Sequence, residues 1–335
     1  MKKYLLALIV AILSFASCIQ GEDWENKPQD NFEALWSIID KHYCFFDYKA
    51  KTIGLDWNEV HSRYADRIAP LMNDNQLFEV LGEMLAELKD GHVNLYAAHD
   101  ISRNWSWKDD FPSNFNDSIH KLYLGKDYKI SSGLHYKIFD DNIGYIYCGS
   151  FSNTIGDGNL SLVLNALAEC NALIIDIRQN GGGELVNASR FASHFTNERI
   201  LTGYMSHKTG PGHNDFSDLE ELWLEPSDGV RWQKPVVLLT NRSCYSSANS
   251  FVNEMKSCPK VTIIGDRTGG GSGMPFSSEI PNGWSIRFSA CPMLDASKQH
   301  IEFGIEPDIS VSMKTEDILD NKDTIIEYAR EFLKK

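Results

Sequence analysis

The chain predicts an α/β protein with a mixed, largely parallel sheet, preceded by a small N-terminal helical bundle. Two patterns carry this expectation. From about residue 31 to 89 apolar residues recur at helical spacing, as in Phe32, Leu35, Trp36, Ile39 and again in Leu77, Val80, Leu81, Met84, Leu85, Leu88. Beyond Asp90-Gly91-His92 the pattern changes to short apolar runs that alternate with amphipathic stretches, the mark of strand–helix–strand units.

The first residues read as an export signal. Lys2 and Lys3 precede an apolar stretch from Tyr4 to Ala16 that is too short to span a bilayer. It ends Ser14-Phe-Ala-Ser-Cys18, small residues before a cysteine, which resembles the lipobox of bacterial lipoproteins. That resemblance implies cleavage after residue 17 and a lipidated Cys18; an ordinary signal with a chance cysteine is the alternative. Residues 18–29 are polar and acidic and read as a tether. The expectation is a cell-envelope lipoprotein, periplasmic or at the outer-membrane surface.

Residues 30–92 are expected to form a three-helix domain punctuated by Gly54 and Pro70, and residues 93–335 the α/β core. Candidate strands are His135–Phe139, Ile143–Cys148, Ala172–Ile177, Val236–Thr240, Val261–Gly265 and Trp284–Ser289. Candidate helices are Leu160–Cys170, Leu185–Phe195, Ser247–Ser257 and Thr315–Leu333. Residues Thr209–Asp228, rich in Gly, Pro, Asp and Glu, are expected to be a surface loop near the site.

Composition excludes some partners. Forty-six acidic against 32 basic residues give a net charge of −14, with no basic stripe for phosphates, so nucleic acid is not expected. Cysteines other than Cys18 show no CxxC spacing and read mostly as small core residues. No His/Cys/Asp cluster has metal-ligand spacing, and no cofactor is expected.

The segment Ser243-Cys-Tyr-Ser-Ser-Ala-Asn-Ser-Phe251 carries the chemistry. It follows the buried run Val236–Thr240 and opens a helix with Ala248, Phe251, Val252 and Met255 on one face. A serine at this turn, Ser246 by preference, has its hydroxyl beside free backbone N–H groups, where developing negative charge is favoured. Ser is also an ordinary N-cap. Cys244, Ser243 and Ser247 compete as nucleophiles. Two further strand exits are rich in glycine: Ala172–Gly183, ending in Gly181-Gly-Gly183, and Ile263–Gly273, which lacks the GK[ST] of a phosphate loop.

Five motifs stand in order: Leu88-Lys-Asp-Gly-His-Val93, Leu173-Ile-Ile-Asp-Ile-Arg-Gln-Asn-Gly-Gly-Gly183, Leu239-Thr-Asn-Arg-Ser-Cys-Tyr-Ser-Ser-Ala-Asn249, Ile264-Gly-Asp-Arg-Thr-Gly269 and Gly304-Ile-Glu-Pro-Asp308. Together they resemble the carboxy-terminal processing (tail-specific) serine peptidase family, over residues 30 to 315. The resemblance implies a ClpP/crotonase-like α/β core and Ser246 as nucleophile. In the Ser–Lys branch the lysine falls on Gly271, so that dyad is absent here. The branch similar to the tricorn protease core takes a histidine from the Asp-Gly-His region, which is His92. An acid then supports the imidazole, directly or through a serine relay: Glu302, with Glu306 as fallback. The oxyanion hole is expected from the backbone N–H groups of Ser247 and Gly182.

Two departures bear on activity: Gly271, and Asn249 where the family often has Glu. Only about fifty residues separate His92 from the Ile143 strand, too few for the PDZ module many members carry. The expectation is an exported serine endopeptidase acting on peptide or protein tails, with no cofactor. The rival from another class is an inert peptide-binding lipoprotein on the same fold. A crotonase-type acyl-CoA enzyme gives no account of Asp-Gly-His.

Overall fold

The computed structural model describes residues 24–103 and 110–334. The signal segment, Cys18 and the first residues of the tether lie outside the described residues.

The N-terminal region holds α1 (Pro28–His42), α2 (Phe46–Ile53), α3 (Trp57–Ala65) and α4 (Asp74–Ala86). That is one helix more than expected. The break between α1 and α2 is hidden because Tyr43, Cys44 and Phe45 are all buried, so the apolar pattern runs through it. The later boundaries carry their signals. Gly54 ends α2 in the left-handed region, Asp56 accepts from the Asn58 and Glu59 amides, and Asn73 forms a capping box with Gln76.

The core contains two sheets. The first orders its strands β12-β9-β8-β5-β4-β3-β2. In chain order these are β2 (Lys129–Ser131), β3 (Leu134–Ile138), β4 (Ile143–Cys148), β5 (Ala172–Asp176), β8 (Val236–Thr240), β9 (Val261–Gly265) and β12 (Ile309–Ser310). From β12 to β4 every pairing is parallel, and the β2–β3 hairpin adds an antiparallel edge. The sheet is therefore mixed and largely parallel, as the strand–helix alternation predicts. Strand β5 shows why its sequence is continuously apolar. Leu173 and Ile175 join a core with Phe191 and Phe251, while Ile174 faces Ile325 and Ile326 on the other side. Helices α6 (Asp157–Ala166), α7 (Leu185–Ala192) and α8 (Ser247–Lys256) supply the first face. Helices α5 (Asp117–Leu124) and α10 (Thr324–Leu333) supply the second.

Of the second sheet only one strand was legible in the sequence, the expected Trp284–Ser289, which is the first half of its longest strand. The sheet comprises β1 (Asn94–Tyr96), β6 (Ile200–Met205), β7 (Glu220–Leu224), β10 (Gly273–Glu279) and β11 (Ser285–Asp295), all paired antiparallel. Strand β7 falls inside the stretch expected to be a loop. It is a largely exposed strand with paired glutamates, so it lacks the apolar alternation that marks a half-buried strand. This sheet closes the helical bundle: Phe32, Leu35, Leu81 and Met84 share one apolar cluster with Trp284, Ile286 and Phe288.

The C-terminal helix expected over Thr315–Leu333 is two, α9 (Thr315–Leu319) and α10. Asn321 takes φ +57° between them, and the Asp323 carboxylate caps α10 through the Ile325 and Ile326 amides. Asp323 also accepts from Arg178 at 3.1 and 3.0 Å, and Arg178 holds Asp176 at 3.0 and 2.7 Å, all three fully buried. Removing one carboxylate strands a buried guanidinium with half its counter-charge and removes the cap. Asp323→Ala is expected to cost about 3–5 kcal/mol in urea unfolding; a loss under about 1 kcal/mol would contradict the pinning of α10 by this triad.

Candidate active site

Strand β8 ends at Thr240 and a tight turn delivers Ser246 to the start of α8. Asn241 builds the turn: its carbonyl accepts from the Cys244 amide and its side chain from the Ser243 amide. The Tyr245 amide donates to the Asn180 carbonyl and the Ser246 amide to the Gly270 carbonyl, at 3.1 and 2.9 Å. So held, Ser246 adopts φ +58° and ψ −124°, a conformation costing a non-glycine residue about 1–3 kcal/mol. Its side chain makes no capping bond to α8. The hydroxyl instead lies 2.9 Å from Nε2 of His92. The ordinary capping role weighed from sequence is therefore not what Ser246 does.

His92 is placed by the turn after α4. Lys89 takes φ +46°, and Asp90 Oδ1 accepts the His92 amide at 2.8 Å. The chain then enters β1, pinned against β11 through Asn94 and Arg287. The imidazole is buried, with its centroid 5.0 Å from the Tyr245 ring. Burial pulls its pKa down to about 4, partly opposed by the Asp90 charge. The ring is thus neutral at pH 7, the state of a general base. Its Nδ1 is buried with no partner at regular hydrogen-bond geometry; the Gly273 backbone favours the protonated ring.

Of the two arrangements expected for Glu302, direct support of the imidazole is not seen. Glu302 is buried, but it makes no hydrogen bond to His92. Its Oε1 lies 3.3 Å from Lys49 Nζ, and its Oε2 accepts the Ser272 amide at 2.8 Å with the Ser272 hydroxyl at 3.4 Å. The acid in contact with His92 is Asp90, through the main chain. Asp90 also accepts from the Tyr43 and Ser289 hydroxyls at 3.0 and 2.9 Å. Burial and the Asp90 charge raise Glu302 to about 8, while Lys49, His92 and these donors hold Asp90 below the usual carboxylate range despite its burial. The fallback, Glu306, is exposed and faces Arg267 at 3.5 Å.

The expected oxyanion donors separate. Ser247 opens α8, where first-turn amides have no helical acceptor. The Gly182 amide, however, donates to the Asn180 side chain at 2.9 Å, and its carbonyl accepts from Phe151. Gly182 instead provides closeness: at φ +103°, an added Cβ would stand 2.8 Å from Ser246 Cβ. The next residue, Gly183, bridges Phe151 in parallel, with the pair of bonds made by its neighbours, so its own N–H faces away from that strand. Gly183 lines a cavity of about 260 Å³ together with Ser246, Ser247, Met274 and Arg287.

Cys244 falls away as a competing nucleophile on geometry. It is fully buried, its thiol donates to the Ile177 carbonyl, and burial pushes it to about 12. Its five fellow cysteines among the described residues are also buried and free. Asn249 is structural, accepting from Thr268 at 2.6 Å and donating to the Ile301 carbonyl at 3.1 Å. Among the described residues no group of three or more His, Cys, Asp or Glu side chains could hold a metal.

Lys49, Asp90 and Tyr245 were not singled out from the sequence. Asp90 lay in a quoted motif. Lys49 did leave a signal: with Phe45, Phe46 and Ile53 it takes a position on the apolar stripe of α2, where lysine is out of place.

Comparisons with known proteins bear on the family and the fold. A model described as peptidase family S41 matches residues 142–311, half of the chain, and one described as the tricorn protease C1 domain matches residues 24–86. A Parabacteroides merdae protein, crystallised as a candidate peptidase, is 54% identical with a TM-score of 0.88, covering 92% of this chain and 97% of that one. Mature CPAF, at 12% identity, covers 92% of this chain and 97% of its own with a TM-score of 0.69, a likeness of fold alone. The carboxy-terminal processing protease CtpA of Bacillus subtilis is 25% identical over 177 residues, 52% of this chain and 36% of that protein. The chain spans 16% to 36% of the length of the curated relatives it matches. By motif order, fold and family model alike, the chain belongs to peptidase family S41.

Proposed function

We propose that the protein is a serine endopeptidase working through Ser246 and His92, with the Lys49–Asp90–Glu302 cluster as support, in place of a Ser–Lys dyad. The observation that carries this is the 2.9 Å approach of His92 Nε2 to the hydroxyl of a strained Ser246 at a helix start. In acylation Ser246 Oγ attacks the peptide carbonyl carbon and its proton passes to His92 Nε2. The carbonyl oxygen gathers negative charge toward the amides of Ser247 and Gly183. The C–N bond then breaks as His92 returns the proton to the leaving amine. A water, deprotonated by the same imidazole, hydrolyses the acyl-enzyme.

Substrates on this reading are peptide or protein tails ending near the site. Arg287 supports that. It lines the cavity over Ser246, its charge acts on His92, and it makes no ion pair or side-chain hydrogen bond among the described residues. A guanidinium on the leaving-group side suits a terminal carboxylate. Placement of the protein in the envelope, tethered through lipid on Cys18, is proposed from the leader sequence.

Mapping of a fluorophosphonate probe on protein lacking residues 1–17 is expected to show labelling at Ser246, lost in Ser246→Ala and His92→Ala. Labelling that survives His92→Ala overturns the choice of base. No labelling, with cleft access checked by peptide binding, favours the inert peptide-binding reading.

Because burial lowers His92, the imidazole stays neutral as pH falls through its ordinary 6.5 and gains a proton only near about 4. The acid limb of kcat/KM is therefore expected well below pH 6.5, and a limb at 6.5 or above would mean a solvated ring in the working enzyme.

Arg287→Met is expected to raise KM at least about tenfold for peptides with a free terminal carboxylate and to leave their amidated counterparts little changed. Equal effects on both would remove Arg287 from tail recognition.

A further inference from the structure

Beside the cleft over Ser246 lies a second cavity of about 190 Å³. Leu185, Ser250, Met274 and Met293 wall both, so the two are neighbours across those side chains. The lining of the second mixes apolar side chains with Ser189, Thr202, Ser250 and Asn253, and its one ionisable group is the carboxyl of Glu254.

Glu254 is tied to the nucleophile by helix geometry. Ser246, Ser250 and Glu254 stand at i, i+4 and i+8, one stripe along α8, which spans about 12 Å at 1.5 Å per residue. One oxygen of Glu254 accepts from Ser189 at 2.5 Å; the other, Oε2, is buried and has no partner. No ion pair reaches Glu254 among the described residues, and burial raises its pKa to about 7. An isolated buried carboxylate is costly, and a cation brought into the cavity relieves that cost. The flexible thioethers of Met274 and Met293 suit the stem of a long unbranched side chain.

The cavity's place bears on which side of the reaction it serves. His92 must protonate the leaving amine, so the leaving segment runs on its side. The second cavity shares Leu185 and Ser250 with the first, two residues after Gly183 and three after Ser247, the candidate oxyanion donors, which is the side of the acyl group. Building on the peptidase reading, we propose that this cavity receives the side chain of the residue whose carbonyl is attacked, and that Glu254 selects a long basic side chain there, lysine or arginine.

Inactivation rates by two peptidyl diphenyl phosphonates test this, one with lysine and one with norleucine at the attacked position. The lysyl compound is expected to inactivate wild type at least about tenfold faster. That preference is expected to collapse in Glu254→Gln and to reverse in Glu254→Met, which keeps the volume and removes the charge. Equal rates in wild type, or faster norleucyl inactivation, overturn the proposal whether or not the variants fold. A plain fluorophosphonate, which has no such side chain, separates the two readings: if it does not label Ser246, the peptidase reading has failed. The cavity is then judged by calorimetry with n-butylamine, whose binding to wild type and loss in Glu254→Gln uphold the cation subsite, and whose failure to bind wild type overturns it.

Discussion

One buried ammonium group ties the site together. Lys49, fully buried on α2, donates to the Leu88 and Lys89 carbonyls at 2.7 and 3.2 Å, lies 3.3 Å from Glu302 and 3.9 Å from Asp90. The first two and Asp90 belong to the turn after α4 that carries His92, and Glu302 belongs to the core. Rings of Tyr43, Phe45 and Phe303 surround the charge at 5.6, 5.8 and 5.3 Å. A lone buried cation would cost several kcal/mol, and two facing carboxylates would repel; together the three groups satisfy one another. With Asp90 low and Glu302 raised, the negative charge sits on Asp90, the residue that holds the His92 main chain. On the proposed reading the helical bundle is thus part of the support of His92, and its apolar cluster with β11 fixes the lysine in depth.

The second constraint is at Ser246. Its positive φ persists because the Tyr245 and Ser246 amides are both taken by neighbouring turns, and because Gly182 leaves no side chain between the glycine triplet and the serine. A local strain of this kind is stable only where surrounding bonds over-determine it. Here they come from three strand exits, after β5, β8 and β9. The consequence is a hydroxyl presented to His92 rather than spent on capping α8.

Much of this was legible in the sequence, and what was missed has physical causes. Strands β4, β8 and β9 were read to the residue, since they are continuously apolar and end in glycine or polar turns. Of the second sheet only Trp284–Ser289 was read; strands such as Glu220–Leu224 and Asn94–Tyr96 escaped because they are short or charged. Ser246, His92 and Glu302 do converge on one site, but the contacts of Glu302 depend on a lysine about two hundred and fifty residues away in sequence. No local pattern encodes that pairing. The choice between Gly182 and Gly183 turned on which amide the Asn180 side chain occupies, again a question of fold.

The departures from the family pattern are linked, which bears on whether they mark decay. Gly271 takes φ +77°, and a Cβ there would lie 2.4 Å from the Tyr245 ring. That ring packs 5.0 Å from His92 and its hydroxyl reaches Asp90 at 3.5 Å. A lysine at 271 and Tyr245 in this position exclude each other, so the space a lysine base would use is filled by the aromatic wall behind the histidine. Asn249 is likewise committed, joining Thr268 to the Ile301 carbonyl while Thr268 accepts the Ile305 amide at 2.7 Å. That chain of bonds fixes the segment bearing Glu302, and through Glu302 the ammonium of Lys49. A chain that had merely lost a Ser–Lys dyad would have no physical need for Tyr245, His92, Asp90 and Lys49 to interlock behind an intact serine turn. Their mutual fit supports the proposed reading of a site built around histidine.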